Sequence, residues 1–241
     1  MDRRSFIAAA AALTAAPALA QTLEAAPPTA PAVTPPAPAP APAAATPPPA
    51  AATITAGPPP LPPTPKGRVR VALTTVHGVI ILELYKDKAP ITAGNFLRYV
   101  DEGRMSHATF YRASHPPGMT DYGMLQGGLQ NDPKYVLKPI PHESTTKTGL
   151  SHTDGAISLG RHAPGTATSD FFICVGDQTY LDANPKAKGD NAGFAAFGYV
   201  VQGMDVVQKM MGLPRSPTAG VGVMKGEMFK TPVPMKARRI S

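Results

Sequence analysis

Three short stretches decide the fold: TFYR at residues 109–112, MLQGG at 124–128 and SDFFIC at 169–174. Each alternates large apolar residues with polar or small ones, the pattern of a β-strand with one face toward a core. The alternation predicts that Arg112 and Gln126 share the opposite face with aromatic and thioether side chains. Apolar walls beside one fixed cation are typical of a site for an uncharged, slightly polar group.

The rest of the chain predicts a small, mainly β domain. Residues 68–75 and 79–84 are β-branched runs that form a hairpin, with His77 in its turn. Pro90 begins an amphipathic helix that ends before Gly103, and residues 204–211 form a second one. The other predicted strands are 108–113, 124–127, 156–159, 170–175, 195–201 and a last one within 234–240, while 213–231 gives no firm signal. Seven or eight short strands with two helices fit a closed antiparallel barrel.

The order of the motifs resembles a known family. F-x-R, M-x-Q-G-G, S-x-F-F-I, F-G and V-x-G-M-D-V-V follow one another between residues 68 and 211. This series is similar to the cyclophilin-type peptidyl-prolyl cis-trans isomerases. The resemblance implies a closed eight-stranded antiparallel barrel capped by two α-helices. It also implies an enzyme that rotates X-Pro amide bonds without a cofactor, and the N-terminal segment described below makes exported proteins its expected substrates. The alternative is a proline-peptide-binding or chaperone-like module with little turnover.

The resemblance also implies the residues of the site. Arg112 takes the position of the catalytic arginine, and Gln126 and Phe172 the other catalytic positions. The implied substrate-binding residues are Phe110, Met124, Gly160, Arg161, Asp170, Tyr180, Leu181 and Phe194. Without the family pattern, Phe110, Met124 and Phe172 would be interpreted as core residues.

Four groove positions depart from the family's pattern. Asp170 stands where many members carry glutamine, Arg161 where asparagine is common, and Tyr180 where some have tryptophan. Gly123 falls where many have phenylalanine. Asp170 is expected to pair with Arg112 or Arg161, and the pairing would either orient a guanidinium for the substrate or divert Arg112 from it.

Other constellations point to no further chemistry. The six histidines lack metal-ligand spacing, so no metal site is expected. The run SHTD at 151–154 contains the residue types of a hydrolase triad but no nucleophile elbow, and is interpreted as a polar loop. Cys174 is the only cysteine, and its apolar strand predicts a buried, inert thiol.

Composition divides the chain into three parts. Residues 1–20 are a predicted signal peptide, because Arg3 and Arg4 precede an apolar run that ends in ALA at 18–20. The run RRSFI at 3–7 resembles a twin-arginine export signal, and ordinary Sec export is the alternative. Residues 21–66 hold 17 of the 30 prolines and predict a disordered, polyproline-II-like linker. Residues 67–241 are the predicted isomerase domain.

The expected location is the periplasm, and the expected partners are proline-containing segments of unfolded or envelope proteins. The net charge is +7, but the basic residues are scattered, which disfavours a nucleic-acid partner. No stable membrane insertion is expected after cleavage, and a monomer is expected.

Overall fold

The computed structural model describes residues 60–241, so the predicted signal peptide and residues 21–59 of the predicted linker lie outside the described residues. Within residues 60–241 the chain forms nine β-strands and three α-helices. The strands are β1 (Arg68–Thr75), β2 (Gly78–Tyr85), β3 (Thr109–Ser114), β4 (Gly123–Gly128), β5 (Ala156–Leu159), β6 (Phe171–Val175), β7 (Ala195–Gln202), β8 (Met228–Pro234) and β9 (Lys236–Arg239). The helices are α1 (Pro90–Asp101), α2 (Thr145–Thr148) and α3 (Met204–Met211).

The strands form one antiparallel sheet that curls into a nearly closed barrel. Their order is β8-β3-β4-β6-β5-β7-β2-β1-β9. Only Met235 separates β8 from β9, so the two edge strands follow each other directly in the chain. The predicted barrel is therefore confirmed, with one strand more than the eight expected. The additional strand is β8, most of which falls in the stretch that gave no firm signal.

The barrel interior and the two longer helices make the main core. Phe96 of α1 packs edge-on against Phe171 of β6 and tilted against Phe197 of β7, each with ring centroids 5.4 Å apart. Helix α3 buries Val207, Met210 and Met211 completely against the sheet. Both helices begin and end close to their predicted positions, because Pro90 and the flanking glycines mark their ends.

The start of α1 is fixed by a buried carboxylate from a distant loop. The backbone N–H of Thr92 donates to Glu143 Oε2 at 2.6 Å, and Glu143 is only 1% exposed. This contact satisfies one of the N–H groups that a helix leaves unpaired at its N-terminus.

The last residues of the predicted linker contact the barrel. Arg70 and Glu83 form a buried cross-strand ion pair, and Arg70 Nη1 also donates to the carbonyl of Pro62 at 2.5 Å. Nearby, the hydroxyls of Thr64 and Ser241 lie 2.6 Å apart. None of the helices in residues 60–241 combines the length and the apolar character needed to cross a membrane.

Candidate active site

A β-bulge in β3 creates the centre of the site. The pairing of β3 with β4 shifts register between Phe110 and Arg112, so Tyr111 is an additional residue in β3. Phe110 and Ala113 point into the core, whereas Tyr111 and Arg112 both lie on the outer face. The bulge thus delivers two consecutive side chains to the same side of the barrel wall.

The bulge corrects the prediction for Phe110. Strict alternation puts Phe110 and Arg112 on one face, but Phe110 has no exposed surface and packs edge-on against Phe171 in the core, with centroids 5.8 Å apart. Phe110 is therefore a core residue. Tyr111, which the sequence did not single out, lies on the outer face instead.

The Arg112 guanidinium is held by two side chains. Arg112 Nη1 donates to Gln126 Oε1 at 2.7 Å, and Nε donates to Glu227 Oε2 at 2.8 Å. Nη2 lies 2.6 Å from the same Glu227 oxygen. An arginine has five N–H groups, so these contacts leave one on each terminal nitrogen without a partner among residues 60–241. The side chain keeps 12% of its surface exposed.

An apolar cluster lies on the outer face of the sheet, where Phe172 is opposite Gln126 and Gln126 is opposite Arg112 in the strand register. Phe172 and Cys174 of β6 form its floor with Ala156 of β5. Phe172 contacts Phe194 edge-on, with ring centroids 5.4 Å apart at 88°. The partly exposed apolar residues packed on this floor are Met124, Leu181, Phe194 and Tyr199. The prediction of a buried Cys174 is confirmed, and burial raises the pKa of its thiol to about 12.

A buried histidine, His152, packs against Phe172. The His152 ring stacks on Phe172 at 5.9 Å, with Nδ1 2.5 Å from Asp182 Oδ1 and Nε2 2.9 Å from Ser158 Oγ. Burial lowers the pKa of His152, although the hydrogen bond to Asp182 opposes the shift. The neutral ring then donates from Nδ1 and accepts from Ser158. Serine, histidine and aspartate resemble a hydrolase triad here, but Ser158 has no exposed surface and therefore cannot attack a substrate.

A cavity lies next to Gln126. It has a volume of about 240 Å³, and its lining includes Tyr111, Gly160, Asp170, Met224 and Met228. Asp170 is 9% exposed, and its Oδ1 accepts from the backbone N–H of Gln130 at 2.9 Å. Burial raises the pKa of Asp170, and hydrogen bonds from backbone N–H groups partly offset this effect.

The structure contradicts the expected pairing of Asp170 with an arginine. Arg161 instead forms a two-pronged ion pair with Asp190, at 2.6 and 2.9 Å, and Arg112 pairs with Glu227. Arg161 also donates from Nε to the carbonyl of Gly193 at 2.8 Å, and its guanidinium carbon lies 5.1 Å from the centre of the Phe194 ring. Arg161 therefore fixes the loop that carries Phe194.

The predicted site residues thus separate into three groups on this outer face, which is called the groove below. Those at the arginine and the apolar cluster beside it are Arg112, Gln126, Met124, Phe172, Leu181 and Phe194. Those at the cavity next to Gln126 are Gly160, Arg161 and Asp170. Tyr180 lies on the rim, 67% exposed, and its hydroxyl donates to Gln178 Oε1 at 2.9 Å. Among residues 60–241, no cluster of three side chains suited to holding a metal ion occurs.

Comparison with known proteins decides the family. The model of the cyclophilin-type peptidyl-prolyl cis-trans isomerases matches residues 69–235, well over half of the 241 residues. This chain belongs to the cyclophilin family. It is accordingly a peptidyl-prolyl cis-trans isomerase, an enzyme that interconverts the cis and trans forms of X-Pro amide bonds.

Bacterial cyclophilins are among its relatives. A peptidyl-prolyl cis-trans isomerase of Acinetobacter baylyi is 35% identical over 147 residues, which cover 61% of this chain and 73% of that protein. Isomerase B of Escherichia coli is 33% identical over 144 residues, covering 59% of this chain and 84% of that protein. A cyclophilin structure from Cryptosporidium parvum superposes with a TM-score of 0.56 at 18% identity, covering 72% of this chain and 98% of that one, and supports the fold.

Two residues of this cyclophilin's groove were not found from sequence. Glu227 reaches Arg112 from 115 positions further along the chain, and no local pattern marks it. Tyr111 is adjacent to Arg112, but the bulge that turns Tyr111 outward contains no glycine or proline from which the bulge could be predicted.

Proposed function

We propose that this isomerase acts on proline-containing segments of exported proteins, and that Arg112 and the apolar cluster around Phe172 perform the rotation. The proline ring would pack on this cluster beside Met124, Phe172 and Phe194. The observation that carries this proposal is the pair of unpartnered N–H groups on Arg112 next to the apolar cluster. A related Cryptosporidium parvum cyclophilin has been crystallised in the presence of the dipeptide Ala-Pro, which supports a proline ligand here.

The reaction requires no bond to be broken. Resonance makes rotation about an amide C–N bond cost about 18–20 kcal/mol, and unaided X-Pro exchange takes tens to hundreds of seconds. The enzyme must therefore bind the twisted amide better than the planar one. In the twisted state the lone pair localises on the proline nitrogen, which becomes a hydrogen-bond acceptor, while the carbonyl loses polarity.

The groove offers a partner for each of these changes. An N–H of Arg112 would donate to the proline nitrogen when the amide is twisted and find no acceptor there when it is planar. The apolar floor would hold the ring while the other side of the amide rotates. The Gln126 oxygen is already occupied by Arg112, so the Gln126 NH₂ group remains to hold a peptide carbonyl near Gly160.

The arginine supplies only part of the acceleration. A charge-assisted hydrogen bond contributes about 1.5–3 kcal/mol, whereas a hundred-thousand-fold acceleration requires about 7 kcal/mol. The remainder would come from orientation of the peptide and from the apolar surroundings of the amide.

The exported role rests on the N-terminal sequence. Arg3 and Arg4, the apolar run after them and the ALA motif at 18–20 support export to the periplasm, where the domain would act as a monomer on envelope proteins. Fractionation of cells that express the full chain tests this location. Replacement of both arginines by lysine distinguishes the routes, because a twin-arginine signal would lose export and a general secretory signal would keep it.

The activity itself is tested with the Arg112→Ala variant. Isomerisation of a short X-Pro peptide is followed by exchange spectroscopy, and the peptide Kd is measured separately. Loss of one charge-assisted hydrogen bond should lower kcat by roughly 10- to 100-fold, with the Kd changed by less than about threefold. The matched control is Arg98→Ala, which removes an arginine whose side chain is 62% exposed on α1 and pairs with Glu102.

Two outcomes would count against the proposed roles. Equal turnover by the wild type and Arg112→Ala would remove the arginine from the mechanism. Slow turnover by both proteins, with peptide binding intact, would favour a proline-binding module without catalysis.

A further inference from the structure

The carboxylate partner of Arg112, Glu227, lies in a segment outside the motif series. Glu227 directly precedes β8 and follows a short 3₁₀ turn at Gly222–Met224. Both of its carboxylate oxygens are in use: Oε2 accepts from Arg112, and Oε1 accepts from Ser114 Oγ at 2.8 Å. Ser114 lies two residues after Arg112 on β3, so Glu227 bridges two outward side chains of the same strand.

The contact replaces most of the solvent around both charges. The Arg112 and Glu227 side chains retain only 12% and 22% of their exposed surface. Without Glu227, Gln126 would be the sole remaining side-chain partner of the guanidinium among residues 60–241. A long arginine side chain with one partner samples several rotamers, and each departure moves its donors away from the groove.

The geometry distinguishes positioning from blocking. Glu227 binds along the Nε edge of the guanidinium and Gln126 binds one terminal nitrogen. The two remaining N–H groups stay unpartnered, so a carboxylate in this place orients the guanidinium without consuming the donors that the reaction requires.

We propose that Glu227 is a positioning residue for Arg112. It holds the guanidinium in the orientation in which a free N–H meets the nitrogen of a twisted X-Pro amide. This inference rests on the proposed role of Arg112. It adds that the C-terminal segment before β8 is required for turnover and not only for closing the barrel.

The test compares Glu227→Ala with Glu227→Gln. The alanine variant removes both contacts and should lower kcat about tenfold, because the misoriented arginine no longer favours the transition state. Its peptide Kd should change by less than about threefold, since the apolar cluster around Phe172 is intact. The glutamine variant should recover activity to within about threefold of the wild type, because its side-chain oxygen accepts from Arg112 and its NH₂ group donates to Ser114. Glu102→Ala is the matched control, because it removes a carboxylate that pairs with Arg98 and Arg104 outside the groove.

A double-mutant cycle then separates positioning from a general effect on the groove. If Glu227 acts through Arg112, Glu227→Ala should lower kcat in the wild type and leave the residual rate of Arg112→Ala unchanged. An equal decrease in both backgrounds would overturn the inference, because Glu227 would then act through the groove walls near Met224 and Met228. Faster turnover by Glu227→Ala would also overturn it, since the carboxylate would be competing with the substrate.

Measurements of folding and a further variant distinguish loss of positioning from loss of folding. Circular dichroism and thermal unfolding establish whether each variant folds. If the alanine variant does not fold, Glu227→Gln and Ser114→Ala carry the test: a decrease in kcat on loss of the Ser114 contact supports positioning, and unchanged kcat opposes it. Loss of activity in Arg112→Ala together with full activity in Glu227→Ala would refute this inference alone, whereas full activity in Arg112→Ala would refute the proposed function.

Discussion

Gly123 offers a stringent test of how the groove is built. The residue begins β4 with φ at +138°, a conformation that side chains with a Cβ rarely adopt. A Cβ added there would lie 2.1 Å from the carbonyl oxygen of Ser114 and 2.9 Å from the Cβ of His115. The Gly123 carbonyl also accepts a hydrogen bond from the buried Gln178 side chain, so the backbone cannot move freely.

Gly123→Ala should therefore destabilise the domain strongly. A disfavoured backbone conformation costs about 1–3 kcal/mol, and forcing a methyl group into packed surroundings adds about 1–3 kcal/mol. The expected loss is about 2–6 kcal/mol, a large share of the 5–15 kcal/mol that is typical of folded domains. The phenylalanine that many family members carry here would be no better, because the same backbone conflict begins at its Cβ.

Chemical denaturation of the domain measures the change in the free energy of unfolding. Gly94→Ala is the matched control, because Gly94 lies within α1 and a Cβ there would meet nothing within 4 Å. Alanine at this helical position should stabilise the protein by about 0.5–1 kcal/mol. A free energy of unfolding for Gly123→Ala within about 0.5 kcal/mol of the wild-type value would lie inside measurement error. That result would show that the geometry of the β3–β4 junction described above is wrong.

Three other outcomes follow from the titrating groups. Burial raises the pKa of Asp170, so its charged form destabilises the fold as pH rises through that pKa. Asp170→Asn should therefore be more stable than the wild type at pH 7, and the difference in unfolding free energy should disappear below about pH 4. A difference that stays constant with pH would contradict this. Burial lowers the pKa of His152, so the stability that the neutral ring contributes is complete above about pH 6.5. On acidification the free energy of unfolding should fall by at most about 1.4 kcal/mol per pH unit. His152→Gln should reduce this dependence of stability on pH, and an unchanged dependence would assign it to other groups. Burial raises the pKa of Cys174 to about 12, so a thiol-specific reagent at pH 8 should label it only after denaturant is added, and rapid labelling of the native protein would contradict its burial.

Local sequence signals were sufficient for most of the fold. The helices α1 and α3 were predicted nearly to the residue. Apolar residues recur in both with the 3.6-residue period of a helix, and Pro90, Gly103 and Gly212 mark where the helices begin or end. Strand β5 was predicted at its observed bounds for a similar reason: it is a short apolar run. The strand β8 was missed, because Pro232 and Pro234 disfavour a strand assignment although an edge strand tolerates them.

The site was predictable where the family pattern reaches and not where tertiary contacts decide. The motif residues Arg112, Gln126 and Phe172 all reach the groove. Alternation with a period of two assigns Phe110 to the same face of the sheet as Arg112. The bulge shifts this alternation by one residue, and no sequence rule predicts where the bulge lies. The ion pair of Arg112 with Glu227 joins positions that are distant in sequence and that the pairing of β8 with β3 brings together.

The contact between Thr64 and Ser241 has a practical consequence. Because these hydroxyls are 2.6 Å apart, the described chain enters and leaves the barrel at one point of its surface. A short linker between these two residues would make a circular permutant with little strain, and new ends could then be opened in the exposed turn between β1 and β2, at Val76. The catalytic groove could in that way be inserted, as a single continuous unit, into a surface loop of another protein.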